Sequence, residues 1–122
     1  MAVLTEGTYA GEAIISEANG TRSRAEITVL SGQNLTAGAV IGKVTASGKY
    51  KVYTVGATDG SESAIAILFD AVDASSADTT GVILARDMEA NVNALVWGAT
   101  VTTQGHKDTA IASLATVGII VR

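Results

Sequence analysis

The stretch ATDGSESAIAILFDAVDASSAD, Ala57 to Asp78, sets five carboxylates around one apolar hexad, Ala64 to Phe69. Either the acids converge as a metal or acid–base site, or they are the solvated ends of a strand. A short continuous apolar run bounded by polar residues predicts a fully buried strand. Asp59-Gly60 ahead of it is turn chemistry, in which an Asp side chain bonds the backbone two residues on. Asp70 and Asp73 bracket the end of the run, and Asp78 falls in the next turn, Ser75 to Asp78. Burying several like charges together is costly. The acids are therefore expected at strand boundaries, facing water.

Outward from this stretch, strand and turn patterns continue in both directions. Ala25 to Leu30 alternates and is rich in β-branched residues, as a half-buried strand should be. Ser31-Gly32-Gln33-Asn34 reads as a turn. Val40 to Thr45 and Tyr50 to Val55, joined by Ala46-Ser47-Gly48-Lys49, read as a hairpin. Gly81 to Ala85 is a further strand, with Met88 to Val92 and Ala94 to Trp97 as strand candidates. Between His106 and Ala115 the period changes, with Ile111, Leu114 and Ala115 on one helical face and Asp108 or Thr109 as N-cap. Ile119 to Val121 closes the chain as a strand. The expected class is mainly β with one short C-terminal helix.

Residues 1–24 differ from the rest, being rich in Gly, Ala, Ser, Thr and Glu with short apolar pairs at Val3-Leu4 and Ile14-Ile15. No period persists there. The expected organisation is an extended N-terminal arm over 1–24 and a β-rich domain over 25–122, the alternative being an ordinary first strand and loop.

Composition narrows the function. At 122 residues, 48% of them hydrophobic, the chain can bury a real core. Aromatic residues are only 4%, so that core must be built from small aliphatic side chains, which bury less area each. Such a core gains from association with a partner. There is no cysteine, hence no disulfide or thiolate chemistry, and no proline to blunt a strand edge. The net charge is −4 and the eight basic residues are scattered, the opposite of a nucleic-acid footprint. The N-terminus carries no basic and apolar signal pattern, and no apolar run approaches the roughly 20 residues of a membrane span. The expectation is a soluble protein made in a cytoplasm, with no direct nucleic-acid or membrane partner.

Candidate chemistry is thin. One histidine, His106, is a poor start for a zinc site, and it reads as a surface or capping residue. Asp70 to Asp78 has Val72 and Ala74 where a calcium loop of the helix–loop–helix type needs oxygen ligands, and lacks its central Gly. Gly38 to Val44 resembles a phosphate-binding loop but has three residues, not four, between its glycines and Val44 where Ser or Thr should meet magnesium. No G-x-S-x-G elbow is present. No cofactor is expected, and the chain reads as a part, not an enzyme.

The order of turns and strands is also familiar. Ala57-Thr58-Asp59-Gly60-x-x-x-Ala64-x-Ala66-Ile67-Leu68 is followed by Val72-x-Ala74. Upstream stand Ser31-Gly32-Gln33-Asn34-Leu35, Gly38-x-Val40-x-Gly42-Lys43-Val44 and Ser47-Gly48-Lys49-Tyr50. Downstream stand Val82-Ile83-Leu84, Leu95-x-Trp97 and Gly118-Ile119-Ile120-Val121. From Ala25 onward this resembles the phage head decoration proteins of the lambda type, also called capsid cement or stabilisation proteins. The resemblance implies a small β-sandwich or β-tulip-like (β-clip-type) domain. It implies a homotrimer on the outer surface of an expanded phage capsid, at three-fold and quasi-three-fold positions, stabilising the shell against internal DNA pressure. The implied partners are the major capsid protein and further copies of the chain, and the implied location is the virion. The N-terminal arm would add a strand to coat-protein sheets, with Val3, Leu4, Thr5, Tyr9, Ile14 and Ile15 as candidate contacts. Trp97 and Tyr53 are candidate trimer contacts. The competing reading is a small β binding or adhesion module of a phage tail or surface, with a ligand site around the exposed aromatic residues.

Overall fold

The computed structural model describes residues 10–18, 20 and 22–122. Its organising element is the apolar hexad. Ala66–Leu68 forms strand β6, between β4 (Val40–Lys43) and β8 (Thr79–Leu84), and runs antiparallel to both. Successive side chains of a strand point to opposite faces, and here each face meets a core. Ile67 joins Val40 and Leu84 in one apolar cluster, while Ala66 and Leu68 join Ile41 and Ile83 in a second. Both faces being dry, the run has no polar alternation.

Strands β2 (Arg24–Val29) and β5 (Tyr50–Val52) complete a closed barrel in the order β2-β5-β4-β6-β8. The long antiparallel seam pairs β2 with β8 from Arg24↔Leu84 to Val29↔Thr79. The expected hairpin is present as β4–β5, with Ile41↔Val52 and Lys43↔Tyr50. Closure is slender: β2 meets β5 in parallel at Val29↔Tyr50, reinforced by Leu30 N–H donating to the Tyr50 carbonyl at 2.8 Å. Gly42, part of the stretch resembling a phosphate-binding loop, lies within β4. A Cβ there would sit 2.8 Å from the Ser63 carbonyl oxygen, so the glycine lets the Ser61–Ser63 segment cross directly over the strand. Gly60 has φ +110°, and an added Cβ would run into the Lys43 carbonyl and the Thr45 hydroxyl. The Asp59-Gly60 turn therefore docks on the end of β4.

A second sheet, in the order β1-β9-β10, is made of β1 (Ile14–Glu17), β9 (Met88–Ala90) and β10 (Ile119–Val121). β1 pairs antiparallel with β9 through a bulge between Ile14 and Ser16, and β10 pairs with β9 in parallel. Helix α1 (Gln104–Thr116) buries Ala110 and Leu114 against Met88, Ala90 and Ile119. A two-stranded ladder joins β3 (Gln33–Leu35) to β7 (Val72–Ala74).

Several details differ from the sequence reading. The helix starts earlier, because Thr103, not Asp108 or Thr109, is the N-cap, its hydroxyl accepting the His106 N–H at 3.2 Å. The buried stripe is consequently Ala110 and Leu114, and Ile111 is only half-buried. Ala94 to Trp97 does not form a strand. Asn91 caps a 3-10 turn over Val92–Ala94, leaving Val96 in a single bridge to Ala39. The residues expected as a turn at Gln33-Asn34 pair as β3. Within the segment expected as an arm, Ala13 is 3% exposed and Ile14 packs on the core through β1.

Two-sided burial gives a measurable asymmetry. Ile67→Ala is expected to cost about 2–5 kcal/mol, as fully buried large-to-small changes do. Ile65→Ala, at a half-buried site of the same run, should cost less than half as much. Chemical denaturation of the two variants measures both, and equal losses would contradict the central position of β6.

Candidate functional site

The five carboxylates of the opening stretch end at separate turns. Asp59 accepts the Ser61 N–H at 3.0 Å and the Ser61 hydroxyl at 2.6 Å. Glu62 accepts the Gly60 N–H, and Asp70 the Ala71 N–H, both at 2.8 Å. Asp73 accepts the Ser75 N–H at 3.1 Å and its hydroxyl at 2.5 Å. Asp78 accepts the Ser31 N–H at 2.8 Å and pairs with Lys49. Hydrogen bonds to the charged form favour it. The Ser61 hydroxyl, then its N–H, with a smaller contribution from the Lys51 ammonium, hold Asp59 down at about 2. Ser75 lowers Asp73 in the same way, and Lys49 with the Ser31 N–H lowers Asp78. All five acids fasten turns, and Asp59, Asp73 and Asp78 are held in the charged form by the bonds that do so. Among the described residues no three His, Asp or Glu side chains gather as a metal site. His106 sits in the first turn of α1, where its Nδ1 accepts the Thr102 N–H at 3.3 Å.

The candidate contact residues fare differently. Val3, Leu4, Thr5 and Tyr9 lie outside the described residues. Ile14 turns inward opposite Ala90 and packs on the core, so its side chain serves the body. Ile15, at the bulge, is 51% exposed. Tyr53 is 4% exposed within the core cluster. Trp97 is half-buried, with the Lys107 ammonium 5.9 Å from its ring centroid. It borders a shallow groove of about 220 Å³ beside Leu35, Val52 and Val96.

Three large apolar side chains stand out among the described residues: Ile15, Val82 and Ile120. Ile120 and Ser16 are both paired with Glu89 in the β1-β9-β10 sheet, and Ile15 precedes Ser16 at the bulge. Glu89 accepts the Ser16 hydroxyl at 3.0 Å and pairs with Arg122; Ser16 first, then Arg122, holds its carboxyl below the usual range. Ser23 ties this sheet to the barrel. It is fully buried, accepts the Ala18 N–H at 3.1 Å and donates to the Asp87 carbonyl at 2.9 Å. Arg24 bridges the same parts, pairing with Glu17 at 2.7 Å while its guanidinium lies 4.1 Å from the Phe69 ring centroid. Of this face the sequence reading names Ile15 as a contact but not Ser16, Glu89, Ile120 or Arg122. Three consecutive apolar residues at Ile119–Val121 were the available signal, because one of them must point away from a one-sided core.

Among the described residues no helix is long and apolar enough to cross a membrane. The family model described as bacteriophage lambda head decoration protein D matches residues 3–119. A search among curated proteins found no match.

The Asp59 turn predicts a pH dependence. Its folded value lies below the ordinary 3.8, so its stabilisation is complete above about pH 4 and is lost as the pH falls towards about 2. Asp59→Asn removes the titrating group. Calorimetry from pH 5 to 2 should find the variant less stable than wild type at pH 5 but with a shallower acid decline. Parallel declines would contradict the role assigned to Asp59.

Proposed function

The chain belongs to the bacteriophage lambda head decoration protein D family, and from that premise we propose that it binds as trimers to the outer surface of an expanded phage capsid and stabilises it. The observation that carries this reading is the family match, which spans nearly the whole chain, residues 3–119. The turns that use up the acids of the opening stretch agree with a building part. In this reading the trimers sit at three-fold and quasi-three-fold positions, the major capsid protein is the partner, and Trp97 with its neighbouring groove supplies a trimer contact.

The arm is the capsid-engaging element. Because Ala13 and Ile14 belong to the body, the proposed tether is the segment ahead of Ala10, with Val3, Leu4, Thr5 and Tyr9 as contacts. Laying such a segment along a coat-protein sheet edge is strand addition, in which backbone bonds supply affinity and alternate side chains supply specificity. Each net bond contributes about 0.5–1.5 kcal/mol, against an ordering cost of about 1–2 kcal/mol per residue. One arm is weak on backbone bonds alone. Burial of its apolar side chains and the joint action of three arms, which can raise avidity roughly 10²–10⁴-fold, supply the rest.

The test titrates purified protein onto expanded capsids that lack it. Full-length protein should bind saturably in multiples of three and raise the temperature at which the shells open. Deleting residues 1–9 leaves the described body intact and should weaken decoration at least a hundredfold without changing the unfolding midpoint of the free protein. Equal decoration by the truncated protein would remove the arm from the mechanism, and no binding by the full-length protein would remove the function.

A further inference from the structure

We propose that the Asp59-Gly60 turn is a latent site of spontaneous backbone modification, at which Ser61 and Glu62 hold back isomerisation of Asp59 to isoaspartate for as long as the turn stays closed. Asp59 is the one aspartate of the chain that is followed by glycine. In that dipeptide the glycine nitrogen can attack the aspartate's own Cγ, because no side chain stands in front of it. A bond forms between the Gly60 nitrogen and Asp59 Cγ. The nitrogen's proton and the hydroxyl of the protonated carboxyl leave together as water, giving a five-membered succinimide. Water then opens the ring. Opening at the former main-chain carbonyl routes the chain through Cβ and Cγ, which is isoaspartate. One water is lost and one regained, so no other reactant is needed.

The turn occupies both reacting groups. Cyclisation needs a protonated carboxyl, since an oxide is no leaving group. Asp59 instead accepts the Ser61 N–H at 3.0 Å and the Ser61 hydroxyl at 2.6 Å, with the Lys51 ammonium 3.5 Å away, and such bonds favour the charged form. Cyclisation also needs the Gly60 nitrogen to shed its proton. That N–H donates to the Glu62 carboxylate at 2.8 Å, whose negative charge opposes a second one growing on the nitrogen. The peptide between them is clamped as well: the Asp59 carbonyl accepts the Thr45 N–H at 2.8 Å, and the Gly60 carbonyl accepts the Ser63 N–H at 3.3 Å. Swinging this peptide towards the Asp59 side chain breaks the bonds to Thr45 and Glu62. The product does not fit the closed turn either. Gly60 lies so close to the Lys43 carbonyl and the Thr45 hydroxyl that even a Cβ on it would run into them, and isomerisation inserts a further backbone carbon just ahead of it. Reaction is thus confined to the fraction of time the turn is open.

The experiment holds full-length wild type, Glu62→Gln and Ser61→Ala at about pH 5 and counts isoaspartate at position 59 by peptide mapping and by isoaspartyl methyltransferase labelling. A synthetic peptide of residues 57–63 and wild type unfolded in urea serve as references. Native wild type should isomerise at least about tenfold more slowly than either reference, as a reaction gated by local opening does. Glu62→Gln changes an exposed side chain and removes only its charge, so it should speed the reaction several-fold in a protein with native circular dichroism. Ser61→Ala, at a buried site, should do the same where it folds, and the comparison of native with unfolded wild type does not depend on its folding. A native chain that reacts as fast as the peptide would overturn the proposal. So would a slow native chain whose rate is unchanged in folded Glu62→Gln, or a folded Glu62→Gln that reacts more slowly than wild type, which would make Glu62 a base that assists the attack.

Discussion

The burial of β6 on both faces is the constraint on which the rest of the structure depends. Three neighbouring strands, β4, β6 and β8, each send alternate side chains into two different apolar clusters. One cluster fills the barrel, and the other joins the barrel wall to α1 and the β1-β9-β10 sheet. A chain with few aromatic residues has little area to bury per side chain. Using both faces of its central strands is how it builds two cores from Val, Ile, Leu and Ala. The same economy explains the close crossing at Gly42, where a bare backbone lets the segment ahead of β6 lie on β4.

The polar residues serve that architecture. Turn carboxylates bond backbone N–H groups and hydroxyls one to a few residues away, or, for Asp78, the distant Ser31 and Lys49. The depressed carboxyl values of Asp59, Asp73 and Asp78 mark fastened turns, and that of Glu89 marks its cross-strand bonds to Ser16 and Arg122, although perturbed titration is often a guide to catalysis. Ser23 and Arg24 act at longer range. They connect the sheet that receives the N-terminal segment to the barrel, through Asp87 and Ala18 in one case and through Glu17 and Phe69 in the other. The β1-β9-β10 sheet is thus joined to the barrel by a buried hydroxyl, an ion pair and a stacked guanidinium.

The chain is a mainly β member of a head decoration family. The structure has a doubly anchored centre and a small outer sheet with its own apolar patch. The groove beside Trp97 and the sheet carrying Ile15 and Ile120 belong to different parts of the molecule. Tyr53, one of the few aromatic residues, is buried in the core cluster.

Local pattern was enough for much of this. The hexad as a buried strand, the β4–β5 hairpin, the strands at Ala25, Gly81 and Ile119, the C-terminal helix and the turn-capping acids all follow from contacts within a few residues, which periodicity and turn chemistry record. The family order of turns was legible for the same reason. What required tertiary structure was every feature set by partners distant in sequence. Gln33–Leu35 is a strand only because Val72–Ala74 lies beside it, and Ile14–Glu17 belongs to the body only because Met88–Ala90 offers it an edge. Thr103 caps the helix because a turn at Ala99-Thr100 brings the chain to it, with Thr103 itself extended. The patch at Ile15 and Ile120 exists because the two ends of the chain meet on β9, a juxtaposition across about a hundred residues that no local sequence pattern encodes.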